Sequence, residues 1–447
     1  MNTMIIKRIM ILCMVMIPFQ GVLSQQEERL VLTLDDAQEY ALSHNKTLQG
    51  ARLDVRAAEM AKWDVLANGL PRVDGSGSLN DNLKLMTNLL PAEIFGGEPG
   101  TYIPVQFGTK YNTSYGIQAT QLIFSAPYFV GLRMASLTEK MSNQALEKSE
   151  LDIRESVIST YYLILVSEES LLQVEKNIDN LRDILKSTEA MYSVGMAEAT
   201  DVDQIKSNIT MIENSRRSVE RNIEFSYNLL RFQMGLEIEK DIELATTLDQ
   251  VIAATDVESL LSAEFDYTKN IDYLMLQSQE NLSSLSLESE KAAVLPSLSG
   301  FYSWTKSGMG NKLNDLQWFP NSMLGFQVNI PIFASGQRWS KIRRARFELD
   351  KAKVSSSAVT DNLLLQEKQL RYNLINAREQ YDSQRDNIEV AERIYRSVNN
   401  KYREGMASSL ELTQAHNNLL TAESNHINSL MTLLQTKLAL EKLLNEF

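Results

Sequence analysis

Tyr192-Ser193-Val194-Gly195-Met196-Ala197-Glu198-Ala199-Thr200-Asp201 returns later in the chain as Tyr402-Arg403-Glu404-Gly405-Met406-Ala407-Ser408-Ser409-Leu410-Glu411. Both stretches read Tyr-x-x-Gly-Met-Ala-x-x-x-acid. In each, a long helical pattern runs up to the tyrosine, the glycine offers the left-handed backbone that ends a helix, and capping residues start another within a few positions. Each stretch is therefore the tip of a helical hairpin. Two tips predict two halves of one design.

Working outward, the residues before the first tip carry Leu171, Val174, Ile178, Leu181 and Leu185, the alternating three-and-four spacing of a coiled-coil seam. Between Tyr128 and Val194 there is no proline and no glycine but Gly131, so one helix of about 100 Å is expected. Phe124 stands 71 residues before Gly195, and Phe333 stands 72 before Gly405. Further back, Asn45 and Pro71 recur as Asn270 and Pro296, both displaced by 225 positions. Thr33 to Asp36, Thr200 to Asp203 and Ser408 to Glu411 have the form of capping boxes.

After Pro71 and after Pro296 the period changes from helix to strand. Strands are expected at about 72–80 and 110–124, and again at about 297–305 and 323–333. Gly/Pro-rich 91–108 reads as a loop. Tyr111, Thr113, Tyr115 and Ile117 alternate with Asn112, Ser114, Gly116 and Gln118; Phe301 breaks the pattern of its strand. One face is apolar and the other carries Ser, Thr, Asn and Gln. Tyr111, Tyr115, Tyr302, Trp304 and Trp318 gather near strand ends, as in the aromatic girdle of a membrane barrel. A soluble sandwich that packs its apolar faces together is the alternative. Four strands cannot close a barrel with a lumen, so the chain must oligomerise, and three copies would supply twelve strands.

Composition bounds the rest. Lys7 and Arg8, the apolar run 9–19 and small residues before Gln25 predict a signal peptide over 1–24. Cys13, the only cysteine, falls inside it, which leaves no disulfide, no thiolate nucleophile and no lipid-bearing cysteine for the exported chain. The formal charge of −13 disfavours a nucleic-acid partner. His44, His416 and His426 are scattered, without metal-ligand spacing, and read as solvated or interfacial residues. No phosphate loop, nucleophile elbow or cysteine cluster occurs, so no catalytic residue, metal site or cofactor is expected. The domain reading is a first repeat over 25–240, an acidic connector over 241–268 and a second repeat over 269–447.

The order helix, strand pair, long helix, Tyr-x-x-Gly tip and helix, given twice after a signal peptide, resembles the TolC family of outer-membrane efflux proteins. The resemblance implies a mostly α fold with a transmembrane β part: duplicated helical hairpins forming a periplasmic tube, and four strands per chain completing a trimeric twelve-stranded barrel. It also implies a homotrimer in outer-membrane lipid, a periplasmic adaptor (membrane fusion) protein and an inner-membrane pump of RND or ABC type. Carried over by position, Tyr402, its acidic partner Asp201 and the ring acid Glu411 become gate residues. Tyr192, Gly195, Met196, Ala197, Gly405, Met406 and Ala407 become the turns and adaptor contacts. Two positions depart from the family pattern. Ala407 replaces a basic residue and Gln414 replaces a second ring acid, which implies a looser closed state and a weaker cation-attracting ring. Capping alone accounts equally for Asp201 and Glu411. A periplasmic coiled-coil scaffold without a channel is the alternative function.

Overall fold

The computed structural model describes residues 29–446; the expected signal segment, Cys13 and Phe447 lie outside the described residues. In chain order the elements are β1 (Leu30–Leu32), α1 (Leu34–His44), α2 (Lys46–Ala67), β2 (Arg72–Asp81), β3 (Met86–Pro91), β4 (Tyr102–Phe107), β5 (Tyr111–Phe124) and α3 (Ala126–Ser193). Then follow α4 (Ala199–Met234), β6 (Ile242–Leu244), α5 (Leu248–Ala253), α6 (Val257–Ser262) and α7 (Ile271–Ala292). The chain ends with β7 (Ser297–Gly310), β8 (Gln317–Asn329), α8 (Gln337–Arg403) and α9 (Ser409–Leu444). Helix lengths match in pairs: 22 residues for α2 and α7, 68 and 67 for α3 and α8, 36 for α4 and α9.

Two compact units share these elements. The first holds the residues up to Asn45, Ser156–Asp256 and Tyr381–Met431. Its core is a seam of four helical segments: Ile178, Leu181 and Ile184 of α3, Ile205, Ile209 and Ile212 of α4, Ala391, Tyr395 and Tyr402 of α8, and Leu412, Ala415, Leu419 and Ala422 of α9. The steps of three and four along each segment keep one face turned inward over several turns, which is why a heptad pattern builds this packing. The same unit holds β1, paired in parallel with β6, and the Tyr161 hydroxyl ties the pair down by donating to Leu32 O at 3.0 Å and accepting from Thr246 N at 3.1 Å. The capping box of Thr33 and Asp36 starts α1 as its spacing predicts.

The second unit holds Lys46–Glu155, Val257–Gln380 and the residues from Thr432 on. At its centre is a four-stranded antiparallel sheet in the order β2-β5-β7-β8. Directly paired residues share a face. The ladder Gly75–Ile117–Trp304–Ser322 and its neighbours Val73–Ala119–Tyr302–Leu324 therefore lie on one side, and Ser78–Ser114–Ser307–Phe319 on the other. The apolar face stays exposed in the single chain: Val73, Ile117, Leu324, Phe326 and Val328 all meet solvent there. Phe301, the exception in the alternation, lies on the polar side opposite Gly325, where an added Cβ would stand 2.8 Å from the Phe301 ring. The glycine makes room for the ring.

One part of the sequence reading needs correction. Segment 91–108 is not simply a loop, because β3 and β4 form a further antiparallel hairpin across it, with a short 3-10 turn at Ala92–Phe95 between the two strands. Pro91 and Pro104 occupy strand positions and hid the pattern. The 241–268 connector contains β6, α5 and α6. Arg371 of α8 holds the end of α6 by donating to Leu261 O at 2.5 Å and Ala263 O at 2.6 Å, while pairing with Glu367.

Candidate gate at the helix tips

The two tips have the same backbone. Gly195 and Gly405 take φ of 76° and 72°, the left-handed region that a side chain disfavours. Gly195 N donates to Tyr192 O at 3.0 Å and Met196 N to Met191 O at 2.9 Å; Gly405 N donates to Tyr402 O at 3.0 Å and Met406 N to Lys401 O at 2.7 Å. This is the Schellman arrangement, closing the last carbonyls of α3 and α8. Three residues beyond each glycine a capping box opens the next helix, Glu198 with Asp201 and Ser408 with Glu411. The first box thus lies two residues ahead of the Thr200–Asp203 pair that the spacing suggests, because Asp201 accepts from Glu198 N at 3.0 Å. Ala197 and Ala407 are half-buried in the turns.

Side chains break the symmetry. Tyr192 is 51% exposed, whereas Tyr402, at the same motif position, is 5% exposed inside the seam. Met196 and Met406 project at 71% exposure each, and Met196 lies against Gly405, its Cε 3.8 Å from where a Cβ would stand. Asp201 and Tyr402, paired in the resemblance, each bond to another residue. Tyr402 pairs with the Thr188 hydroxyl at 2.7 Å, and since Thr188 donates to Ile184 O at 2.9 Å, the tyrosine is the donor to Thr188. The free oxygen of Asp201 accepts from Ser409, which ties the start of α4 to the start of α9. Glu411 is held by its own cap, and the Ser408 N–H and hydroxyl keep its carboxyl below the usual range. Gln414 turns to Asn418 of its own helix at 3.0 Å.

Sequence reasoning missed Thr188 and Ser409. Thr188 continues the 178–181–185 spacing as a polar residue on an apolar stripe, and that signal was available. Ser409 carries none, since its role depends on how the two tips meet. Deeper in the seam His416 is 1% exposed, neither solvated nor interfacial, with its ring 5.5 Å from Tyr395 and no hydrogen-bond partner on either nitrogen. Burial pushes its pKa down to about 4.

In the other unit, Tyr115 packs 5.9 Å from Trp304 and 5.4 Å from Trp318, with Lys306 5.9 Å over the Trp318 ring. Tyr111 lies toward the same end of the sheet, opposite Gly310, with Lys110 over its ring at 5.0 Å. Tyr302 is paired with Ala119, outside this cluster. Among the described residues no His, Cys, Asp and Glu group forms a metal site, and no helix is long and apolar enough to cross a membrane.

A sheet with one apolar and one polar face, and separately two long helical hairpins whose tips meet, are the parts of an outer-membrane channel subunit. The chain matches the outer membrane efflux protein family over residues 38–235 and 274–446, and it belongs to that family. It is similar to the antibiotic efflux pump outer membrane protein ArpC and to the toluene efflux pump outer membrane protein TtgC, both of Pseudomonas putida. Each is 23% identical over 433 residues, 90% of this chain and 81% of the relative. Among solved structures, the outer membrane protein VceC of Vibrio cholerae superposes with a TM-score of 0.74 at 16% identity, over 92% of this chain and 95% of that one. The fold is the TolC-like one of outer-membrane channels, mostly helical with a four-stranded sheet in each chain. The protein is a non-enzymatic component of efflux and resides in the outer membrane. A scaffold without a channel is set aside.

Proposed function

We propose that this chain forms, as a homotrimer, the exit duct of a tripartite efflux or type I secretion assembly. It conducts passively what an inner-membrane pump of RND or ABC type delivers through a periplasmic adaptor protein. The observation that carries this reading is the sheet: its faces are segregated and β2 and β8 leave their outer edges unpaired in the single chain. Such edges cannot face lipid. Pairing β2 of one copy with β8 of the next, three times over, removes every edge and turns the Ser-rich face to a water-filled lumen.

Gating is assigned to the tips. Asp201 with Ser409, and Tyr402 with Thr188, join the tip of the first half to that of the second, and Glu411 sets the charge at the entrance. Each bond contributes only about 1 kcal/mol, but three copies around a ring make the sum enough to bias closure. Exposed Met196 and Met406, with Tyr192, suit contact with the adaptor. The paired helix lengths support the repeat boundaries 25–240 and 269–447 on either side of the 241–268 connector.

Single-channel recording in planar bilayers tests both parts. The trimer should conduct, and Asp201→Ala combined with Tyr402→Phe should raise its conductance. No conductance from a well-assembled trimer would refute the duct; unchanged conductance in the double variant would refute only the gate.

A further inference from the structure

The periplasmic end of the sheet carries features that neither conduction nor gating uses. A bulge between Leu122 and Phe124 brings Phe124 opposite Leu298, so the apolar, lipid-side face runs on past the last strand pairs. There it meets a groove of about 430 Å³ walled by Phe124, Phe129, Val130, Ala292 and Leu295. The rings of Phe124 and Phe129 stand 6.3 Å apart. Two cations border the groove: Arg133, which pairs with Glu288 at 2.6 Å, and Lys291, which makes no ion pair among the described residues. The groove lies between the end of β5 with the first turns of α3 on one side and the end of α7 on the other, and β5 is an inner strand of the sheet. Within the sheet a second copy adds at β2 or β8, not beside β5.

An independent observation comes from α8. Its first turns hold Arg338, Lys341, Arg343, Arg344 and Arg346 in a chain of net charge −13. The positive end of a helix dipole disfavours cations, so helix formation does not explain them. Arg338 is used locally, donating to Pro331 O at 2.7 Å. Lys341 and Arg344 share a small cleft with Glu290 and Glu348 of α7 and α8. Arg343 lies 4.6 Å over exposed Trp339, and neither it nor Arg346 makes an ion pair among the described residues. Tryptophan beside unpaired arginine at the edge of an apolar band is the chemistry of a bilayer interface.

We propose that this strand-to-helix junction binds anionic glycerophospholipid of the periplasmic leaflet. An acyl chain lies in the groove beside Phe124 and Phe129, and phosphates are held by Lys291, Arg343 and Arg346. Charge complementarity selects the occupant: an apolar slot bordered by unpaired Lys291, with further unpaired arginines in the first turns of α8, fits a lipid with a negative headgroup better than a neutral lipid or a free anion. The proposal rests on the outer-membrane location and not on the gate.

The test uses full-length trimer, freed of lipid by extended detergent washing, and follows its thermal dissociation in micelles doped with phosphatidylglycerol, phosphatidylcholine of the same chains, or inorganic phosphate. Phosphatidylglycerol should raise the midpoint by several degrees more than phosphatidylcholine, and phosphate should do nothing. In Lys291→Gln with Arg343→Gln and Arg346→Gln the two lipids should become equivalent, while bilayer conductance stays that of the wild type. Native mass spectrometry of the wild type should show phosphatidylglycerol retained in preference to phosphatidylcholine, which decides the matter even if the variant fails to assemble. Equal retention of the two lipids, a phosphatidylglycerol effect that survives the substitutions, or its reproduction by free phosphate would overturn the proposal.

Discussion

Tyr402 and Thr188 share one buried hydroxyl relay, and its direction makes the two ends unequal. The tyrosine donates to Thr188, and Thr188 donates to the Ile184 carbonyl. Tyr402→Phe removes a donor and leaves Thr188 satisfied, a loss of about 1 kcal/mol. Thr188→Val keeps the shape but strands the Tyr402 hydroxyl inside the seam, at a cost of about 1–3 kcal/mol. Trimer melting should therefore drop further for Thr188→Val; the reverse order would show that the relay runs the other way. His416 sets a second residue-scale expectation. Its folded pKa of about 4 lies below the ordinary 6.5, so between those values the unfolded chain binds the extra proton. The contribution of the neutral ring is full above pH 6.5 and is lost as the pH falls toward 4, amounting to about 3 kcal/mol per chain. His416→Leu should flatten melting temperature against pH in that window. A variant that titrates as steeply as the wild type would exonerate the histidine.

At the scale of elements, the tips depend on glycine for a stated reason. A Cβ in the left-handed conformation costs about 1–2 kcal/mol, so Gly195→Ala and Gly405→Ala should each lower trimer melting, with the asparagine variants milder. At Gly195 nothing lies within 4 Å of the added carbon, so the loss there isolates backbone strain from crowding. If Gly195→Ala melts like the wild type, the turn is not held left-handed. The same locality explains what could be read in advance. Heptad spacing, Tyr-x-x-Gly and the capping boxes are short-range signals, so the long helices, their ends and their tips were legible residue by residue. Alternation in 111–124 showed a strand with two unlike faces for the same reason. The β3–β4 hairpin was not legible because Pro91 and Pro104 disguise it. Thr188 with Tyr402 and Ser409 with Asp201 are pairings between segments about 200 residues apart, and no local pattern encodes them. Asp201 illustrates the limit: its capping role was visible in sequence, but its bond to Ser409 exists only once two tips are side by side.

At the scale of the whole molecule, the proposed duct requires that adjacent residues on one strand meet different solvents. Tyr302 pairs with Leu324, and Ser303 pairs with Met323. The two pairs lie at nearly the same depth, and the pleat turns them to opposite sides of the sheet. In a closed twelve-stranded wall, Leu324 faces lipid and Ser303 faces the lumen. Arginine at a lipid-facing position costs about 2–4 kcal/mol near the bilayer midplane and much less in a lumen, where water solvates the charge. Leu324→Arg should therefore depress the melting temperature and membrane yield of the trimer. Ser303→Arg should leave both near wild type and shift the channel toward anions in reversal-potential measurements under a salt gradient. The comparison holds residue type and depth nearly constant, so it reads the assignment of faces. If Ser303→Arg destabilises the trimer and Leu324→Arg changes selectivity, the sheet is inverted, and the Ser-rich face does not line the pore.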